Sequence, residues 1–185
     1  MSTLQVNTIN ESTSTSGVTV DGVLIKDGLV DGKDVSALTA GKVLQVVQGT
    51  DNTSANITAT SYTDTGLTAS ITPSATSSKI LIIISQSVLV WGPGAVPFGY
   101  FKLLRDSTVI SGSGDGYPVG MKAYLHGDSN NYKGNSFNVS QLDSPSTTSS
   151  VTYKTQAKYA GSGSGYVATA YNNSVDSIVL MEIGG

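Results

Sequence analysis

The residues that could perform nucleophilic catalysis are few in this sequence. The chain has one histidine, His126, and no cysteine. Thiolate chemistry is therefore excluded, and a Ser-His-Asp triad would have to use His126. His126 stands between residues that favour loops, and no Gly-x-Ser-x-Gly motif places a serine at a strand-to-helix turn. We therefore predict that His126 is a loop residue and that the chain is not a hydrolase of the triad type.

Carboxylates offer a second route to catalysis, because glycosidases use two of them at a fixed separation. The chain has 13 acidic residues, and many stand in Asp-Gly or Asp-Ser pairs that are typical of turns. Asp115 and Asp128 lie in polar stretches that lack the ligand density of a calcium loop. The sequence predicts no enzyme, no catalytic residue, no cofactor and no metal site in one chain. A metal ion on an axis between subunits stays open.

Recognition of another surface is the chemistry that the sequence supports best. Nine tyrosines and Trp91 are available as contact residues, and aromatic rings stack on apolar sugar faces while their polar edges pair with hydroxyl groups. Tyr117, Tyr124, His126 and Tyr132 fall in one loop-rich stretch, and loops on a rigid scaffold commonly hold binding sites. We predict these four as receptor- or glycan-binding residues, and we interpret Trp91 as packing in the core or between subunits.

Composition and charge exclude several classes of partner. The formal net charge is −3 and only 12% of residues are charged, so no basic face is offered to nucleic acid or to anionic lipid. The longest apolar run, residues 80–84, is far shorter than the ~20 residues of a membrane helix. The N-terminus lacks the pattern of a signal peptide. We expect no nucleic-acid partner and no membrane insertion.

The elements that must position these residues are predicted to be β-strands. Thr, Val, Ile and Tyr favour pleated half-buried surfaces, whereas Gly, Asn, Asp and Ser favour turns. Eight or nine short strands in residues 42–185 indicate a β-sandwich head of the jelly-roll type. Residues 79–91 are the longest strand candidate, residues 100–104 and 108–110 form a predicted hairpin with a three-residue turn, and residues 111–133 are predicted to be long loops. The other strand candidates are residues 43–48, 57–60, 66–71, 136–142, 151–157, 166–171 and 177–183, and residues 161–165 are predicted to be a flexible link.

Residues 1–41 form the second predicted region, a stem for trimerisation and anchoring. Three Asp-Gly pairs, which favour tight turns, separate apolar runs that are too short to bury a core within one chain. Several copies wrapped around one axis would cover these runs. The residues assigned to this contact are Val18, Val20, Val23, Ile25 and Leu29. A flexible tail is the alternative interpretation, and residues 33–42 could form a helical turn or two that ends at Gly41.

Several segments of the chain resemble tail-fibre-like proteins of marine and cyanobacterial phages. The segments are residues 4–11 and 17–28, which resemble the opening of such proteins, and residues 41–48, 71–82, 103–107 and 178–183, which are similar to their C-terminal domain. The resemblance implies a trimeric virion protein with a thin N-terminal stem and a globular sandwich head. It transfers no catalytic residue, and it leaves residues 92–135 uncovered.

Together these observations predict an all-β protein with a jelly-roll-like β-sandwich head and a short intertwined N-terminal stem, assembled as a homotrimer. Its expected role is a short fibre of a bacteriophage virion that attaches to a host-surface glycan. The alternative is a capsid decoration or a tail connector with a purely structural role. The expected partners are copies of itself, other virion proteins through the N-terminal region, and host glycan. The expected location is the virion, in a tail fibre or on the capsid surface.

Overall fold

The computed structural model describes residues 18–20, 23–26, 29–30, 33–34, 41–92, 98–111, 121–124, 133–161 and 163–185. Their regular structure is almost entirely β-strand, with one 3-10 turn at Tyr171–Asn173. This confirms the prediction of an all-β protein. The chain divides into two compact units, Met1–Lys42 and Val43–Gly185.

The N-terminal unit contains a four-stranded antiparallel sheet in which every strand pairs with the next one along the chain. Its strands are β1 Val18–Val20, β2 Val23–Lys26, β3 Leu29–Val30 and β4 Lys33–Asp34. The terminal pairings are Val20 with Val23, Lys26 with Leu29 and Val30 with Lys33. Two residues therefore separate successive strands, and in each case they are one of the Asp-Gly pairs.

The residues predicted for the trimer stem lie on this sheet. Val18, Val20, Val23, Ile25 and Leu29 belong to β1, β2 and β3. The helical turn predicted from residue 33 onward is wrong at its start, because Lys33–Asp34 pairs with β3 as a fourth strand. Residues 35–40, which the same prediction included, lie outside the described residues.

The described residues of the C-terminal unit form eleven strands in two antiparallel sheets. They are β5 Val43–Asp51, β6 Ala55–Ile57, β7 Thr63–Ile71, β8 Lys79–Trp91, β9 Phe98–Arg105, β10 Thr108–Ser111, β11 Met121–Tyr124, β12 Lys133–Asp143, β13 Val151–Tyr159, β14 Tyr166–Thr169 and β15 Asp176–Ile183. The six-stranded sheet has the order β5-β15-β8-β14-β6. β15 and β14 pair with successive parts of β8 along one edge, and β12 pairs along its other edge. The five-stranded sheet has the order β10-β9-β13-β7, with β11 also paired to β9.

The core lies between these two sheets, because their strands alternate buried and exposed side chains. On β8 the buried residues include Ile80, Ile82 and Ile84, and β7 buries every second residue from Thr65 to Ile71. The ring of Phe101 on β9 stacks on that of Phe137 on β12 with 5.3 Å between ring centroids, so it joins the two sheets. The predicted sandwich is confirmed by this arrangement.

The following two local predictions in this unit are wrong. The hairpin of β9 and β10 turns through two residues, Asp106 and Ser107, because Asp106 adopts a left-handed φ of 53° and Arg105 pairs with Thr108. Residues 121–124, predicted as loop, form β11 since they pair along the edge of β9. Within the segment predicted to be a flexible link, Gly163 and Ser164 are exposed, whereas Gly165 is buried and a Cβ there would overlap the ring of Tyr159.

The junction between β5 and β7 depends on a glycine. The first strand was predicted to end at residue 48, but Gly49 lies inside β5. A Cβ at Gly49 would come within 2.1 Å of the Thr68 backbone carbonyl oxygen and 3.1 Å of the Ala69 Cβ. The missing side chain therefore lets an edge strand of one sheet approach an edge strand of the other.

A buried carboxylate joins the end of β15 to the segment between β7 and β8. Glu182 is fully buried and accepts hydrogen bonds from the Ser74 backbone N–H at 2.7 Å, the Ser74 hydroxyl at 2.6 Å and the Gln45 amide at 2.6 Å. Burial by itself would raise the pKa of Glu182, but the hydrogen bonds from Ser74 and Gln45 outweigh it and lower the pKa to about 2. The ionised carboxylate is therefore part of the folded structure.

Replacing Glu182 with Gln is expected to lower the free energy of unfolding by about 1–3 kcal/mol at neutral pH, because a charged acceptor is lost from a buried network. Glu182 has a lower pKa folded than unfolded, so it stabilises the fold fully above about pH 4.5 and loses this effect as the pH falls towards about 2. Urea unfolding from pH 7 to pH 2 checks this. Wild type and E182Q should converge in acid, and a constant difference between them would contradict the assignment.

A second buried carboxylate holds the turn before β15. Asp176 is fully buried; one oxygen accepts from the Ser87 backbone N–H at 2.7 Å and the Ser87 hydroxyl at 2.9 Å, and the other accepts from the Ala170 backbone N–H at 3.1 Å. The turn it closes contains three residues with positive φ, which are Ala170, Asn172 and Asn173. Asp176 therefore ties a strained turn to the central strand β8.

Candidate functional site

The structure describes one of the four residues that were predicted to bind a receptor. Tyr124 is the last residue of β11, where it pairs with Phe98 on β9. Tyr117, His126 and Tyr132 lie outside the described residues. Trp91, interpreted as a packing residue, is half-buried and its ring stacks on that of Tyr166 at 5.6 Å.

The described residues reveal a different group of aromatic and basic side chains on the five-stranded sheet. Tyr100 and Lys102 lie two positions apart on β9, and Lys158 on β13 pairs directly with Tyr100. Tyr62, just before β7, covers them: its ring centroid is 3.7 Å from Lys102 Nζ and 5.0 Å from Lys158 Nζ. We call these four residues the tyrosine–lysine cluster.

The strand alternation explains why this cluster faces away from the core. Phe101 and Leu103 on β9 are fully buried between the sheets, so their neighbours Tyr100 and Lys102 stand on the opposite face. Ala157 is likewise buried and Lys158 follows it on β13. The cluster therefore occupies the outer face of the sheet, and three of its four residues lie on regular strands.

The two rings hold the lysines in place. Lys158 is 9% exposed, and its ammonium lies 5.2 Å from the Tyr100 ring as well as near Tyr62. An ammonium over an aromatic face is attracted by the negative face of the ring, and the attraction grows when water is excluded. Lys102 and the two tyrosines are partly buried. The cluster thus presents ring surface and positive charge together.

A polar group of three residues lies beside the cluster on the same face. Asp64 Oδ2 is 2.9 Å from Lys154 Nζ, and its Oδ1 accepts from Gln156 Nε2 at 2.7 Å. The hydrogen bonds from Lys154 and Gln156 lower the pKa of the Asp64 carboxyl. Gln156 also pairs with Lys102 across β9 and β13, so this group and the cluster are continuous.

A bulge opens a shallow cavity at this place. The pairing of β13 with β7 shifts between Lys154 and Gln156, and Gly66 within the shifted part of β7 has a φ of +99°. The cavity has a volume of about 130 Å³ and is lined by Asp64, Gly66, Leu67, Thr68, Lys154 and Thr155. It is large enough for a small polar group and too small for a whole sugar ring.

This arrangement suits binding. Tyrosine rings can stack on the apolar face of a sugar, the lysine ammonium groups can pair with a carboxylate or sulfate, and Gln156 and Asp64 can exchange hydrogen bonds with hydroxyls. Among the described residues, no group of three or more His, Asp or Glu side chains is arranged to hold a metal ion. The same part of the chain contains no helix long and apolar enough to cross a membrane.

Sequence reasoning missed the cluster for a specific reason. The alternation of Tyr100 with Lys102, and of Lys154 and Gln156 with Lys158, could have been recognised as two polar strand faces. Their union requires that β9 pairs with β13, two strands about fifty positions apart in the chain. Nothing in the local pattern gives that pairing, and Tyr62 belongs to yet another segment.

Comparisons with known proteins find similarity at the level of solved structures. No family model and no curated protein matches the chain. A chain in the crystal structure of the T13 viral particle of infectious bursal disease virus is similar with 12% identity and a TM-score of 0.39, over 91% of this chain and 40% of that one. A VP2 subviral particle of the same virus is similar with 15% identity and a TM-score of 0.34, over 91% of this chain and 42% of that one. This chain spans about two fifths of the length of both.

Proposed function

We propose that this chain is a structural protein of a virion and that its head attaches the particle to an anionic glycan through the tyrosine–lysine cluster. The observation that carries the proposal is the cluster itself, in which two rings and two ammonium groups meet on the outer face of a rigid sheet. The resemblance to phage fibre proteins supports the virion role. It also supports a homotrimer that is anchored to other virion proteins through the N-terminal unit.

Electrostatics favour an anionic ligand at this site. The chain as a whole is negative, with a formal net charge of −3, yet Lys102 and Lys158 lie together at the Tyr62 ring. A local positive patch on a negative protein selects ligands with a carboxylate or sulfate and discriminates against a general polyanion such as nucleic acid. Ring stacking would still act at high salt, where charge interactions reach only a few ångströms.

Weak single contacts are sufficient for attachment if three copies are linked. Linked sites raise the overall affinity by roughly 10²–10⁴ without any new contact. A short fibre with one cluster per copy would therefore hold a glycan-coated surface even when one cluster binds weakly. Because contacts among the four residues already hold their side chains, little side-chain entropy is lost on binding.

The test uses the full chain and immobilised heparin, alginate and dextran, which are sulfated, carboxylated and neutral. Tyr62→Ala is expected to weaken binding to the preferred acidic polysaccharide about tenfold, because it removes ~1.4 kcal/mol of stacking and cation binding. Lys102→Met should remove the preference for the acidic polymers and leave the fold intact. Surface plasmon resonance at 50 mM and 500 mM NaCl measures both effects.

Matched controls separate the cluster from general surface effects. Tyr171 is an exposed tyrosine elsewhere in the unit and Lys42 is an exposed lysine, so Tyr171→Ala and Lys42→Met should bind as the wild type does. If the wild type binds none of the three polymers at high protein concentration, or if the controls lose binding as strongly as the cluster variants, glycan attachment is wrong. A virion that adsorbs normally without this protein would favour capsid decoration or a tail connector.

A further inference from the structure

The outer face of the six-stranded sheet is unusually apolar for a surface. Its strand β8 buries Ile80, Ile82 and Ile84 on the inner face, yet the intervening Leu81 and Ile83 are also apolar. The same double pattern occurs on β15, where Ile178 and Leu180 face the core and the alternate residues are apolar too. Strands that are apolar on both sides are typical of sheets covered on both faces.

The register aligns these residues across four strands. Val46, Met181, Leu81 and Leu142 form one continuous cross-strand row on β5, β15, β8 and β12. Val179 and Ile83 stand beside it in the next row, and Val43 and Ile183 in the row on the other side. We call these eight residues the outer apolar patch.

Exposure within the patch is high for such large side chains. Val46 is 57% exposed, Val43 52%, Leu142 49% and Ile83 37%. With the four partly buried members, the patch exposes roughly 400–500 Å² of apolar surface, a size at which contiguous patches commonly mark interaction sites. A standard interface buries about 800 Å² per partner, of which some 60% is apolar. The exposed apolar area of the patch is therefore about as large as the apolar part of one partner's surface in such an interface.

We propose that the outer apolar patch is covered by a second copy of this chain. A second copy is favoured because the patch lacks charge. Lys79, at the edge of the patch, is the one charged residue among the described residues that point outward from β5, β8, β12 and β15. Polar neighbours such as Gln48 and Ser140 surround the patch. Symmetric copies bring identical residues near one another, so a patch free of repeated charge suits self-association.

This inference adds a contact in the head to the trimer contact proposed for the N-terminal unit, and it holds whether or not the head binds glycan. The patch lies on the six-stranded sheet and the tyrosine–lysine cluster on the five-stranded sheet. Copies joined through the patch would therefore keep their clusters accessible. The two proposals can fail separately.

The absence of cysteine from the chain permits a direct test on the full-length protein. Val46→Cys introduces a single thiol in the patch, and Val175→Cys introduces one at a 64% exposed position elsewhere. In the native assembly, a maleimide reagent should label Val46→Cys at least tenfold more slowly than Val175→Cys. Adding Leu142→Glu on the opposite side of the patch should remove this protection, and adding Val175→Glu should not.

Native mass spectrometry of the same proteins completes the test. The wild type should be an oligomer. Leu142→Glu should dissociate this oligomer if the patch alone holds the copies together. If the N-terminal unit still joins the copies, Leu142→Glu should instead expose Val46→Cys within an intact oligomer. Equal labelling of Val46→Cys and Val175→Cys would show that the patch is uncovered. Slow labelling in a monomer would show that the chain covers its own patch. Either result overturns the proposal, and neither one depends on polysaccharide binding.

Discussion

Asp176→Ala is expected to lower the free energy of unfolding by about 3–5 kcal/mol. The carboxylate accepts from the backbone N–H groups of Ser87 and Ala170 and from the Ser87 hydroxyl, and each buried donor left without an acceptor costs about 1–3 kcal/mol. The turn that it closes also contains left-handed residues, which persist only when their surroundings hold them. Chemical denaturation monitored by tryptophan fluorescence measures the loss, because Trp91 ends the β8 strand to which Asp176 is tied.

A graded series makes this prediction sharper. Asp176→Asn keeps one oxygen acceptor and should lie between wild type and Asp176→Ala. Asp106 provides the matched control, since its carboxylate also accepts from a backbone N–H, that of Thr152 at 2.9 Å, but on the exposed surface. Asp106→Asn should change the free energy of unfolding by less than about 0.5 kcal/mol. Equal effects at Asp176 and Asp106 would mean that burial of the network does not matter.

Gly49→Ala is expected to destabilise the C-terminal unit by about 3 kcal/mol although it adds a single methyl group. The new Cβ would overlap the Thr68 backbone oxygen, and a backbone atom in a strand cannot rotate away as a side chain would. The edges formed by β5 and β7 would have to separate, which is the costly form of overpacking. Thermal unfolding followed by circular dichroism should show the lower midpoint with an unchanged β spectrum.

Substitutions at two other positions test whether steric overlap causes the destabilisation by Gly49→Ala. Gln48 is an exposed residue on the same strand, so Gln48→Ala should stay within about 0.5 kcal/mol of the wild type. Gly41→Ala meets no atom within 4 Å but has a φ of +74°, and it should cost about 1 kcal/mol through backbone strain alone. A Gly49→Ala protein as stable as Gln48→Ala would contradict the close approach of the two strands.

Much of the fold could be predicted from local pattern. The strand over residues 79–91 matches β8 at both ends, because a long segment rich in Ile, Val and Leu lies between a Ser-Ser pair and a Gly-Pro pair. The three Asp-Gly pairs also fall between successive strands that pair with each other. Where apolar runs and turn residues agree, local preference decides the structure.

Local pattern failed where a partner strand decides the structure. Gly49 reads as a strand terminator, but its place in β5 follows from the approach of β7. Residues 121–124 read as loop, but the edge of β9 makes them a strand. Tyr62 and Lys158 carry no joint signal in the sequence, because the contact between them depends on how β7, β13 and β9 are paired. Long-range pairing is therefore the part that one sequence does not reveal.

The pairing of β5 with β15 has a consequence for how the protein is made. β5 is the first strand of its unit, and its described sheet partner, β15, begins at Asp176. A ribosome adding ~5–20 residues per second needs on the order of ten seconds to pass from one to the other. During that interval β5 has no strand to pair with at the edge that β15 later occupies, so the nascent head is prone to aggregation until β15 emerges.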